Sequence, residues 1–173
     1  SFGYSNGAAP DENAQWLAKL DQQPGVRTLR SYIAAVVRKW TAKSADIVLH
    51  LVDKGLISGS PAVSYWIEKV ERERLPELLR RMHRFHALGG NPEWQALAAL
   101  LSEPRPAEIA ALREAGAKAS VSRNQPGMHS AATVSWLLAA AGSSAAVKEL
   151  SRIASRGSDH AAAVVDIVIR ASD

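Results

Sequence analysis

A chain of 173 residues with 47% hydrophobic and 22% charged side chains is long and apolar enough to bury roughly two thirds of its unfolded surface, which argues against wholesale disorder. Its formal charge of +4, from 21 Lys and Arg against 17 Asp and Glu, is small for a general nucleic-acid binder. The lack of cysteine excludes disulfides and thiolate chemistry and suits work in a reducing cytosol.

In chain order, the helix signals begin at Asp11, a candidate N-cap for a first helix with Trp16, Leu17 and Leu20 on one face, closed by Pro24 and Gly25. A second helix over 27–40 carries Leu29, Ile33, Val36, Val37 and Trp40 as an apolar stripe. Ser44 and Asp46 open a third, which runs through Ile47, Leu51 and Val52 to a stop at Gly55. Ser60 and Pro61 combine a capping hydroxyl with proline at the first helical position, followed by Val63, Trp66, Ile67 and Val70 at i, i+3, i+4 and i+7. The spacing predicts a fifth helix over 75–87, with Leu78, Leu79, Met82 and Phe85 inward, Arg80, Arg81 and Arg84 outward, and Gly89 and Gly90 after it.

Asn91, Pro92 and Glu93 repeat the cap, proline and acid arrangement before Trp94, Leu97, Ala98 and Leu101, and Pro104 and Pro106 precede a shorter helix ending near Gly116. Residues 117–129 read as a long loop and a candidate module boundary. Three Ala-rich helices follow over 130–141, 143–155 and 158–171, with Val147, Leu150, Ile153, Val164, Val165 and Val168 expected inward. No strand-period segment competes. The fold class is all-α, a helical bundle. Its expected divisions are an N-terminal helix and linker over 1–26, a main bundle over 27–116, the loop, and a C-terminal extension over 130–173.

Two stretches about one hundred positions apart resemble each other. Ser44, Ala45, Asp46, Ile47 and Leu51 lie over Ser144, Ala145, Ala146, Val147 and Leu150, and Trp66, Ile67 and Val70 over Val164, Val165 and Val168, with Trp40 and Trp136 each preceding the pair. A degenerate second copy is one reading; helices alike through shared amphipathic physics are the other.

The run Trp40, Ser44 to Val48, Leu51, Ser60, Pro61 and Trp66 to Val70, with Leu78, Leu79, Met82, Phe85, Leu97, Leu100, Leu101, Ile109 and Leu112 after it, resembles the WY-domain fold of oomycete RXLR effectors. Arg27, Thr28, Leu29 and Arg30 match the host-targeting tetrapeptide of that family. The resemblance implies a secreted virulence protein that enters the cytoplasm or nucleus of plant cells and suppresses immunity by binding host proteins. Residues 1–10 lack the charged start and apolar middle of a secretion signal, which a mature chain would already have lost.

Catalytic motifs are not evident: there is no Gly-rich phosphate loop, nucleophile elbow or Asp-rich metal motif. His83 and His86 stand at i, i+3 without a carboxylate one turn away, so neither metal nor other cofactor is expected. Apolar runs such as 131–142 fall short of the ~20 residues of a membrane span. Arg72, Arg74, Arg80, Arg81 and Arg84 form the densest basic cluster and, with Trp136, are the candidate partner-binding residues, although interleaved Glu71, Glu73 and Glu77 also fit a solvated face of ion pairs. Trp40, Trp66 and Trp94 are expected core anchors. The leading expectation is a non-catalytic module binding host proteins, with self-association open. The alternatives are a nucleic-acid-associated helical protein using the face of Arg72 to Arg84, or a bacterial effector enzyme such as a cysteine-free ubiquitin ligase.

Overall fold

The computed structural model describes residues 26–86, 91–122 and 130–172, and all of their regular structure is helical. The helices are α1 (Val26–Arg38), α2 (Ser44–Asp53), α3 (Gly59–Lys69), α4 (Leu75–Leu79), α5 (Pro92–Leu101), α6 (Pro106–Lys118), α7 (Ser130–Ala141), α8 (Ser144–Ala154) and α9 (Ser158–Ser172). Single 3-10 turns at Arg72–Arg74 and Met82–Arg84 flank α4. The expected helix around Trp16 lies outside the described residues, as do Gly89 and Gly90.

The chain forms two compact units, residues 1–56 and 57–173. Compactness therefore divides the chain between Leu56 and Ile57 and not at the expected 117–129 loop. In the first unit α1 buries Tyr32 and Val36, and α2 buries Ala45, Ile47, Val48, Leu49, Leu51 and Val52. Trp40, an expected anchor, is only half-buried, because α1 ends at Arg38 and leaves it in the connection. Burial pushes the Tyr32 phenol well above its ordinary pKa, so it stays neutral. Gly55 adopts φ +69 just past α2, the left-handed geometry a glycine stop supplies.

The second unit is organised around α7, which packs against α5, α6, α8, α9 and the Met82–Arg84 turn. Ser130 to Ser135, Leu137, Leu138 and Ala141 are all buried, so α7 has almost no solvent face. Its small Ala and Ser side chains let neighbours approach from several directions at once, and an all-round apolar helix belongs inside a core. Entry to α7 is fixed by Ser120, whose carbonyl accepts from the Ala131 N–H at 3.0 Å and whose N–H donates to Ser130 Oγ at 3.0 Å. Gly116 on α6 serves the same close packing: a Cβ there would lie 3.0 Å from Ile153 Cδ1 on α8.

A second pivot joins α3 to α5. Trp66 and Trp94 are fully buried, as expected. Ser60 does not cap α3: the helix begins at Gly59, and Ser60 Oγ accepts from Trp94 Nε1 at 3.0 Å and from Asn91 Nδ2 at 3.2 Å. The buried Trp94 N–H thereby gains an acceptor, and the hydroxyl is committed to that bond across the two helices. Phe85 meets Trp94 edge to face, with centroids 6.3 Å apart. Gly59 lies against this pair, since a Cβ would come within 3.0 Å of both rings.

The helix expected over 75–87 is broken. After Leu79 the Arg81 N–H bonds back to the Leu78 carbonyl at 2.9 Å, an i to i−3 contact, while the Arg81 side chain takes the Glu77 carbonyl at 2.7 Å. The guanidinium thus replaces the α-helical bond, and the tightened turn still delivers Met82 and Phe85 to the core. The inward faces of α8 and α9 also differ from expectation. Leu150, Ile153 and Val164 are buried, but Val147, Val165 and Val168 are exposed, and Ala163 and Ile167 fill the α9 face instead. Of the two resembling stretches, 44–53 and 59–69 fall in different compact units, whereas 144–172 falls in one.

Replacing Ala131, fully buried on α7, by Leu is expected to lower unfolding free energy by about 1–3 kcal/mol through overpacking. The same change at exposed Ala145 should alter it by less than ~0.5 kcal/mol. Urea midpoints for the two variants check this.

Candidate functional site

The basic segment over 72–84 is the first candidate, and its cations are largely committed within the fold. Arg72 makes a bidentate pair with Glu108, Nε to Oε2 at 3.0 Å and Nη2 to Oε1 at 2.9 Å. Its Nη2 also donates to the carbonyls of Leu100 at 2.9 Å and Glu103 at 2.8 Å. Glu108 is fully buried and accepts in addition from the Arg105 N–H at 2.9 Å, as the N3 member of a capping box on α6. One guanidinium therefore closes the carbonyl end of α5 while its carboxylate partner closes the amide end of α6, each charge opposite to the local helix dipole. The hydrogen bond to Glu108 raises the Arg72 pKa further, so the cation persists at any ordinary pH.

Arg74 is similarly held, with Nε 2.6 Å and Nη2 3.1 Å from the two Glu77 oxygens and its guanidinium 5.8 Å from the Trp66 ring centroid. Arg80 pairs with Glu114 at 2.9 Å across an exposed surface, and Arg105 pairs with Glu73 at 3.3 Å. The Glu73 carboxyl is held below the usual range, first by its own backbone N–H and then by Arg105. Arg81 spends a donor on the Glu77 carbonyl, and Arg84 is exposed. The face expected to receive a partner thus consists mainly of ion pairs and backbone caps, the solvated alternative that the interleaved glutamates had allowed.

Of the other sequence candidates, Trp136 is half-buried on α7. Arg27, Thr28, Leu29 and Arg30 lie within α1 by backbone, with Leu29 half-buried; the side chains of Arg27, Thr28 and Arg30 lie outside the described residues. His83 Nδ1 donates to the Arg80 carbonyl at 3.0 Å, and His86 is exposed beyond the 3-10 turn, so the two do not share a helix face. Among the described residues no group of three His, Cys, Asp or Glu could hold a metal ion.

Two features escaped the sequence reading. The first is a cleft of about 290 Å³ between α6 and α8, lined by Leu112, Arg113, Gly116, Ala117, Glu149, Arg152, Ile153 and Arg156. Residues i, i+1, i+4 and i+5 of α6 face i, i+3 and i+4 of α8 and Arg156 in the turn after it, a pattern visible only once the helices are known to be neighbours. Arg156 Nη1 donates to the carbonyls of Gly116 and Ala119, both at 2.6 Å, closing the end of α6. Arg152 lies 3.4 Å from Glu149, whose side chain is only 10% exposed. No histidine or nucleophilic side chain lines the cleft. The second feature is a run of exposed aliphatic side chains on α9, Val165 at 57%, Val168 at 40% and Ile169 at 60% exposure. They stand at i, i+3 and i+4, with Val168 bordering the face that buries Ala163, Val164 and Ile167, one turn from Val164.

Among known proteins no family model, curated relative or solved structure matches this chain.

Substituting Arg72 by Met should lower unfolding free energy by on the order of 3 kcal/mol, because it strands the buried Glu108 carboxylate. Arg80→Ala, which breaks an exposed pair, should cost under ~1 kcal/mol. Comparable losses in chemical denaturation would contradict this division of roles.

Proposed function

We propose that this chain is a non-catalytic protein-interaction module, acting as a WY-type effector does: secreted, carried into the cytoplasm or nucleus of a plant cell, and binding host proteins there. The all-helical architecture and the buried Trp66 and Trp94 agree with the resemblance on which the cellular setting rests. The binding reading itself is carried by the aliphatic stripe of Val165, Val168 and Ile169.

An isolated exposed aliphatic residue needs no explanation, but three on one helix face form a surface that water solvates poorly. The face of α9 that buries Ala163, Val164 and Ile167 is already seated against α7 and α8, so core packing does not account for the stripe. Aliphatic anchors at i, i+3 and i+4 are the spacing by which one helix enters a groove or lies along another helix. The cations over 72–84 are a weaker basis for recognition, since a partner competing for Arg72 would have to break bonds that hold helix ends together, and one competing for Arg74 would have to break its pair with Glu77.

The test is capture of plant proteins by the tagged chain expressed in plant cells, compared with a Val165→Glu/Ile169→Glu double variant of equal circular dichroism. Specific partners enriched by the wild type should fall by at least about tenfold with the variant, the equivalent of about 1.4 kcal/mol. An unchanged set of enriched proteins, or none above a scrambled control, would overturn the proposal. Light scattering on both forms identifies the case in which the stripe joins two copies of this chain.

A further inference from the structure

We propose that the cleft between α6 and α8 is a second recognition point that receives an acidic and aliphatic peptide segment of a partner protein. The inference rests on the protein-binding reading but on a different surface, with its own chemistry.

Size and exposure argue for a peptide. At about 290 Å³ the cleft lies at the lower edge of the roughly 300–1,000 Å³ typical of small-ligand cavities, too small for a docked helix. Arg113, Ala117, Arg152 and Arg156 are all exposed, so a ligand would be covered on one side only. Small molecules gain affinity from near-complete enclosure. A few side chains projecting from a larger partner need less, because the remainder of the partner covers their outer side.

Charge complementarity selects the ligand. Three guanidinium groups face one carboxylate, and the Glu149 carboxylate is engaged by Arg152. Arg113 has no ion-pair partner among the described residues. Both bonds of Arg156 use Nη1, which leaves Nε and Nη2 uncommitted among those residues, and they neutralise the carbonyl end of α6 that would otherwise repel an anion. Guanidinium forks bind carboxylates in a bidentate manner that ammonium groups cannot copy. Between the cations the lining is apolar, with Ala117 exposed at its surface and Leu112, Gly116 and Ile153 closing it beneath. An ion that was only charged would leave Ala117 and the cleft's apolar side uncovered, whereas an aliphatic residue beside a carboxylate satisfies both parts.

The test is fluorescence anisotropy with fluorescein-labelled hexapeptides that alternate leucine with aspartate or glutamate, against isosteric peptides carrying asparagine and glutamine. Acidic peptides should bind the full chain at least about tenfold more tightly than their amide counterparts at low ionic strength, a difference of about 1.4 kcal/mol. Arg113→Glu should abolish that preference, and Ala117→Trp, a substitution at an exposed position that fills the cleft, should remove binding of the acidic set. Amide-proton shifts on the wild type, which need no variant to fold, should centre on Gly116 and Ile153. Equal affinity for both peptide sets, no binding, binding unaffected by Ala117→Trp, or displacement by inorganic phosphate at the concentration of free acidic peptide that displaces half, would overturn the proposal. Failure here with retained capture through Val165 and Ile169 leaves the protein-binding reading standing. Loss of that capture with intact peptide binding separates the two in the other direction.

Discussion

The second compact unit depends on one constraint, the enclosure of α7 on nearly every side. A helix so placed cannot be amphipathic, and it cannot carry bulk in several directions without forcing its neighbours apart. The run from Ser130 to Ser135 meets that requirement with small side chains, while Leu137 and Leu138 fill the wider space near its end. Gly116 lets α6 and α8 close over Ile153 beside it. The packing of α7 against α5 and α6 on one hand and α8 and α9 on the other makes residues 57–172 one body, and the segment beyond α6 does not divide it.

Three arginines of the second unit serve helix ends. Arg72, reaching from the turn after α3, holds the carbonyl end of α5 and the Glu108 carboxylate at the start of α6. Arg156 does the corresponding work at the far end of α6, and Arg81 substitutes its side chain for a backbone bond after α4. These are places where short connections leave helix termini without partners, and a buried carbonyl without a donor is costly. Arg72, Arg74 and Arg81 of the basic cluster thus became internal ties, and the surfaces we propose for recognition lie elsewhere, on α9 and between α6 and α8.

Much of the secondary structure was written locally. Proline at the first turn of α5 and α6, Ser143 accepting the Ala146 N–H at 3.2 Å before α8, and the glycine stop after α2 each act within a few residues, and short-range signals of this kind survive translation into a fold. The burial of Trp66 and Trp94 was legible for the same reason, since each sits on an apolar stripe at helical spacing. The all-α class followed from periodicity alone.

What the tertiary structure decided was every matter of partnership. Ser60 reads as a cap until the Trp94 indole, distant in sequence, claims its hydroxyl. Val147, Val165 and Val168 read as core until the small residues of α7 and the neighbouring Ala163 and Ile167 take the inward positions. Hydrophobicity marks which residues favour burial, but an α9 helix with aliphatic residues around much of its circumference can bury only the side its neighbours reach. The same holds for the arginines: sequence gives their charge, while the choice between tie and recognition site depends on which carbonyl or carboxylate three-dimensional packing brings within about 3 Å of each.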